Sequence, residues 1–164
     1  MKKIVLILIF VIILFGACAL EVANVVGPAG GYVFLDKGKG SYDTLGWRYL
    51  ECSPINAGSI VRIENYKNTN GSYNPAEAKV YINEVLDEFN KSGEYNDWEI
   101  PNEEELILML QSFRWELTKF SSKYQYISSE GYVYRGNLDN SKLSEQERLE
   151  NPTGMVYIRP VRRF

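Results

Sequence analysis

Histidine is absent from this chain of 164 residues, and cysteine occurs only twice. Without histidine there is no Ser–His–acid triad, no imidazole general base and no imidazole metal ligand. Two cysteines are too few for a zinc site built from four thiolates and for the disulfide framework of a small exported domain. A basic surplus is missing as well. Eighteen Lys and Arg stand against 21 Asp and Glu, a net charge of −3, whereas a general nucleic-acid binder needs a basic face.

What the chain does have begins at its start. Lys2 and Lys3 precede an uncharged apolar run from Ile4 to Leu14, which ends in the small residues of "FGAC". This is the three-part pattern of a bacterial export signal. A membrane span needs ~20 apolar residues, and the run reaches that only if Ala19 and Leu20 are counted, so a retained single anchor is the second reading. "LFGAC" resembles a lipoprotein signal box, in which the cysteine after cleavage carries diacylglycerol. Residues 1–17 are then the signal, Cys18 is the lipidated residue, and acyl chains hold the protein on the membrane at ~0.8 kcal/mol per buried CH₂. Phe15 replaces the usual leucine of that box, so an ordinary secretory signal and a Cys18–Cys52 disulfide stay open. With Cys18 acylated, Cys52 reads as a small buried hydrophobe.

Residues 18–30, running into "GPAGG" (Gly27 to Gly31), read as a tether, and residues 31–164 as one domain with a real core. "YVFLD" (Tyr32 to Asp36) and "WRYLEC" (Trp47 to Cys52) predict strands. Asn74 as N-cap, Pro75 at the first helical position and Glu77 three residues past the cap predict a helix start. Ala78, Ile82, Val85, Leu86 and Phe89 form its apolar stripe. A second helix is predicted after Asn102, with Glu105 answering the cap. Glu103, Glu104 and Glu105 then occupy a first turn where the helix dipole favours carboxylates, and Leu106, Met109, Leu110 and Phe113 face the core. Strands follow at Tyr124 to Ser128, Tyr132 to Arg135 and Met155 to Val161, around a polar excursion with room for a short helix. Strands, two central helices and strands again describe an α+β domain with long loops.

"GPAGGYVFLDKG", "GWRYLE", "WEIPNEEEL", "YISSE" and "IRPVRRF", in this order, together resemble the bacterial family typified by the C-terminal domain of a collagen-like surface adhesin. That family is similar to the C-type-lectin-like and formylglycine-generating-enzyme folds. The resemblance covers Gly27 to Phe164. It implies a small twisted, mainly antiparallel sheet with paired terminal strands, two flanking helices and ligand loops on one side. It also implies that one closing arginine is buried against a carboxylate such as Glu130 or Glu105. Ile127 stands where the family has a tryptophan platform, Cys52 where it commonly has alanine, and the late cysteine pair of the sulfatase-activating enzymes is missing. The resemblance carries no such activity across.

Two places are candidates for binding. Arg162 and Arg163 offer planar forks suited to sulfate or carboxylate, although on one strand they point to opposite faces. The loop from Asn65 to Asn74 supplies Tyr66, Asn68, Asn70 and Tyr73, rigid aromatic area beside adaptable polar groups. Asp36 with Asp43, and Asp97 with Glu99, are weaker candidates as calcium ligands. The expectation is a non-catalytic, adhesin-like lipoprotein of the bacterial envelope, on the outer membrane or cell surface, with no cofactor. Its partners are membrane lipid through Cys18 and an extracellular glycan, host protein or envelope protein, not nucleic acid. The alternative is a structural envelope lipoprotein that only packs against its neighbours.

Overall fold

The computed structural model describes residues 25–38, 40–60, 62–112, 125–135 and 147–164. The export signal, Cys18, residues 18–24 of the tether, Phe113, Tyr124 and residues 136–146 of the polar excursion lie outside the described residues.

β1 (Tyr32–Asp36) and β2 (Tyr49–Cys52) form where the sequence places them, and pair antiparallel with a bulge between Val33 and Leu35. Between them Ser41–Leu45 make a short helix, α1, which the sequence reading does not foresee. β3 (Gly58–Ile60), missed for its brevity, precedes α2 (Pro75–Ser92) and α3 (Glu103–Ser112). β4 (Gln125–Ile127), β5 (Val133–Arg135), β6 (Glu147–Leu149), β7 (Val156–Ile158) and β8 (Val161–Arg163) complete the chain. Among the described residues no helix is long and apolar enough to cross a membrane.

The two long helices start as their caps dictate, with one difference. The Asn74 side chain accepts from the Ala76 N–H at 3.2 Å. Its own N–H, which a capping box would offer to Glu77, donates instead to the Tyr66 carbonyl at 2.8 Å. At α3 the box closes both ways: Glu105 N–H donates to Asn102 Oδ1 at 2.9 Å, and Asn102 N–H donates to Glu105 Oε2 at 3.1 Å.

The architecture is α+β with two sheets, where one small sheet was expected. The order is β1–β2–β8 in the first and β3–β7–β4–β5–β6 in the second. All pairings are antiparallel except β4 with β7. The five-stranded sheet is covered on both faces, and the period of two divides its residues between two cores. Ile127, Val133, Val156 and Ile158 pack with Ala78 and Ile82 of α2. Tyr126 and Tyr134 pack with Leu106 and Met109 of α3 and with Phe34, Leu50, Cys52 and Val161 of the three-stranded sheet. Ile127 is fully buried.

Two expectations are corrected. The stretch expected as one strand from Met155 to Val161 is broken at Arg159 and Pro160, so that β7 belongs to one sheet and β8 to the other. Pro160 has no N–H for a ladder, and its carbonyl accepts from Ser53 N–H. The terminal strands β1 and β8 share a sheet but are separated by β2, which pairs with both. The polar excursion, read as having room for a short helix, carries strand β6 on the edge of the five-stranded sheet, and its residues 136–146 lie outside the described residues.

The end of the expected tether is also built into the fold. Gly27 N–H donates to the Gly31 carbonyl at 2.9 Å, Gly30 N–H to the Gly27 carbonyl at 3.0 Å, and Val33 N–H to the Val25 carbonyl at 2.9 Å. This turn wraps the fully buried carboxylate of Glu51. Gly31 N–H donates to Glu51 Oε1 at 2.6 Å and Ala29 N–H to Oε2 at 3.4 Å. A buried carboxylate is tolerated only when such donors replace its water, and the glycines let the backbone come that close. A Cβ on Gly27 would lie 2.3 Å from Glu51 Cδ.

Candidate functional site

The closing arginines take three different places. Arg159 is buried at the sheet crossing, where its Nη1 donates to the Ser53 carbonyl at 2.8 Å. Burial pushes its pKa down, opposed by nearby Cys52 and Tyr126. Arg163 stands opposite Leu50 and turns toward α3. Its Nη2 donates to Glu105 Oε1 at 2.6 Å, its Nη1 pairs with Glu99, and its guanidinium lies 5.5 Å from the Trp47 ring. Glu105 is therefore the carboxylate that receives a closing arginine, while Glu130 is exposed. Arg162 lies on the other face of β8, opposite Glu51. Its Nε donates to Asp97 Oδ1 at 2.6 Å.

On that face a run of planar side chains crosses β8 and β2. Arg162 lies 4.4 Å from the ring of Tyr95 and 6.0 Å from that of Phe164. Phe164 and Tyr49 exchange backbone hydrogen bonds and hold their rings 5.4 Å apart, tilted by 31°. The guanidinium of Arg48 lies 4.6 Å from the Tyr49 ring. It grips Asp36 with two hydrogen bonds, of 2.7 and 2.6 Å. These bonds, with the Gly38 N–H, hold the Asp36 carboxyl below its ordinary range against the effect of burial. Tyr95, Arg162, Phe164, Tyr49 and Arg48 thus form one stack, and all five are half-buried. The Tyr95 hydroxyl donates to the Pro28 carbonyl at 2.9 Å, which fixes the stack to the turn around Glu51.

Chemically the stack offers rigid ring area and a series of fixed hydrogen-bonding groups, the combination that recognition surfaces favour. Its electrostatics differ from an anion grip. Arg48 faces Asp36 and Arg162 faces Asp97, so each guanidinium on this face carries its own counter-charge.

The loop expected as the second binding place uses most of its groups on itself. Tyr73 is buried, its hydroxyl donates to the Gly131 carbonyl at 2.7 Å, and desolvation raises its pKa. Tyr66 packs against the core beside Tyr81, their ring centroids 6.3 Å apart. Asn68 donates to the Ser72 hydroxyl and the Tyr73 carbonyl, and Asn70 Oδ1 accepts from the Ser72 N–H and hydroxyl. The structure brings Arg162 to the stack and leaves Tyr66, Asn68, Asn70, Tyr73 and Arg163 apart from it.

Of the weaker calcium candidates, Asp36, Asp97 and Glu99 each face an arginine, and Asp43 is exposed on α1. Among the described residues no group of three or more His, Cys, Asp or Glu is placed to hold a metal ion. Cys52 is a buried free thiol, and burial pushes its pKa up to about 12. It is a core residue, as read from the sequence.

Sequence reasoning missed Arg48, Tyr49, Tyr95 and Phe164 as site residues. Part of the signal was there: Tyr49 with Glu51, and Arg162 with Phe164, alternate at a spacing of two, which puts each pair on one face of its strand. No family model matches the chain, and no curated protein or solved structure matches it.

Proposed function

We propose that this chain is an exported lipoprotein, held on the bacterial envelope through acylated Cys18, whose C-type-lectin-like domain binds an extracellular partner without catalysing a reaction. The export pattern and "LFGAC" support the anchor. The five ordered landmarks from "GPAGGYVFLDKG" to "IRPVRRF" support the lectin-like reading. Two long helices packed against the sheets accord with it. The observation that carries the binding role is the stack from Tyr95 to Arg48, a surface of five half-buried planar side chains in which both arginines are held by ion pairs.

The test uses the full-length chain in detergent micelles, screened against polysaccharides, extracellular-matrix proteins and envelope extracts, in parallel with growth on labelled palmitate. Saturable binding to one class of partner and label that is lost in Cys18→Ala are the expected results. Failure to bind any member of the three panels would end the binding reading, and label retained in Cys18→Ala would end the anchor.

A further inference from the structure

Resting on that binding reading, we infer that the stack takes an uncharged sugar chain, in contrast to a sulfated or carboxylated one. The inference comes from the charges of the face. An anion site needs arginines with unused charge, because each anionic group must outbid whatever already neutralises them. Here Arg162 is held by Asp97 at 2.6 Å and Arg48 by Asp36 at 2.6 Å. A sulfated chain laid along this face meets both carboxylates and is repelled by them, a cost that an uncharged ligand escapes. Asp97 is half exposed, at 51% of its side-chain area, and its charge is open to solvent.

The geometry suits sugar hydroxyls. Phe164 and Tyr49, stacked on each other and each half-buried, leave adjacent apolar ring area for the C–H groups of a pyranose. Along the row two arginine–aspartate pairs, Arg48 with Asp36 and Arg162 with Asp97, each set donors beside an acceptor that sugar hydroxyls can share. The row of five side chains is longer than one pyranose ring and runs across two hydrogen-bonded strands, so an extended chain fits it better than a single sugar. Rigidity adds to affinity, since rings already fixed by stacking lose little entropy when the ligand arrives.

The test measures affinity of the full-length chain in micelles for dextran, mannan and laminarin, with heparin and polygalacturonate as charged counterparts, from low salt to about 0.5 M. The expected result is binding to at least one uncharged polysaccharide that changes less than about twofold over this range, because no counterions are released. Phe164→Ala weakens it at least about tenfold, the scale of one lost aromatic contact. Tyr95→Leu is the second variant, should Phe164→Ala fail a thermal-melt check. Asp97→Asn unmasks Arg162 and is expected to gain heparin binding that falls with salt.

Preference of the unaltered protein for heparin or polygalacturonate, with steep salt dependence, would overturn the inference and leave the binding reading in place. Unchanged affinity for the uncharged chain in both ring variants would move the ligand off the stack and overturn it too. Saturable binding to a matrix or envelope protein with none to any polysaccharide would overturn the inference alone. Absence of binding to every probe would remove the reading beneath it.

Discussion

Replacing Gly31 by alanine is expected to cost about 4 kcal/mol of stability, a sum of overpacking and of a buried carboxylate stripped of its donor. A Cβ on Gly31 would lie 1.9 Å from the Cys52 carbonyl oxygen and 2.9 Å from Glu51 Oε1. Neither atom can withdraw. The carbonyl belongs to β2 backbone paired with β1, and the carboxylate is fully buried. The substitution therefore pushes the turn outward and lengthens the 2.6 Å bond from Gly31 N–H. The melting temperature should fall by about 10 °C or more, given a few degrees per kcal/mol for a domain of this size. Gly30→Ala is the control. Gly30 has φ of +77° but open space around its Cβ position, so only the left-handed backbone strain applies, about 1 kcal/mol. Equal melting temperatures for the two variants would show that the turn does not clasp Glu51 as described.

Glu105→Ala should be nearly as damaging, at about 3 kcal/mol, from a lost cap and an abandoned ion-pair partner. One carboxylate does two jobs. Oε2 accepts from Asn102 N–H and closes the start of α3, while Oε1 accepts from Arg163 at 2.6 Å. The side chain is 11% exposed and that of Arg163 23%, so water replaces little of what is lost. Glu104, the preceding residue in the same helical turn, is exposed and Glu104→Ala should shift stability by no more than about 0.5 kcal/mol. Urea denaturation of both variants checks the contrast. Similar midpoints would mean that the acidic run stabilises α3 only through the helix dipole, which treats the two positions alike.

These two residues also show what the sequence makes legible. The box between Asn102 and Glu105 is a local rule, readable from a spacing of three, and it forms in both directions. β1 is readable because four consecutive residues, Tyr32 to Leu35, carry the aromatic and aliphatic pattern of a strand. Locality fails at Glu77, whose cap partner was taken by the Tyr66 carbonyl, a group eight residues before the cap. It fails again at Arg159–Pro160, where an apolar run long enough for one strand is divided between two sheets. The proline permits the break, but the choice of sheet depends on β2 and β4, which are distant in sequence. Three-residue strands such as β3 and β6 carry too few side chains to show a period.

The candidate site was legible only in part for the same reason. Arg162 could be singled out as a group suited to recognition. Its pairing with Asp97 and its stacking on Tyr95 join residues more than sixty positions apart, and these contacts turn a cluster that reads as cationic into a face with balanced charge. Tyr73 went the other way. In sequence it is one tyrosine of a polar loop, and in the fold its ring is part of the core.

Two surfaces compete for the ligand, the stack proposed to receive it and the loop at residues 66–73. The most direct measurement is a map of backbone amide chemical shifts in the full-length chain as an uncharged polysaccharide that it binds is titrated in. Perturbations centred on Arg48, Tyr49, Tyr95, Arg162 and Phe164, with the loop unmoved, are the expected result. Perturbations confined to Tyr66, Asn68, Asn70 and Tyr73, with β2 and β8 unchanged, would contradict it.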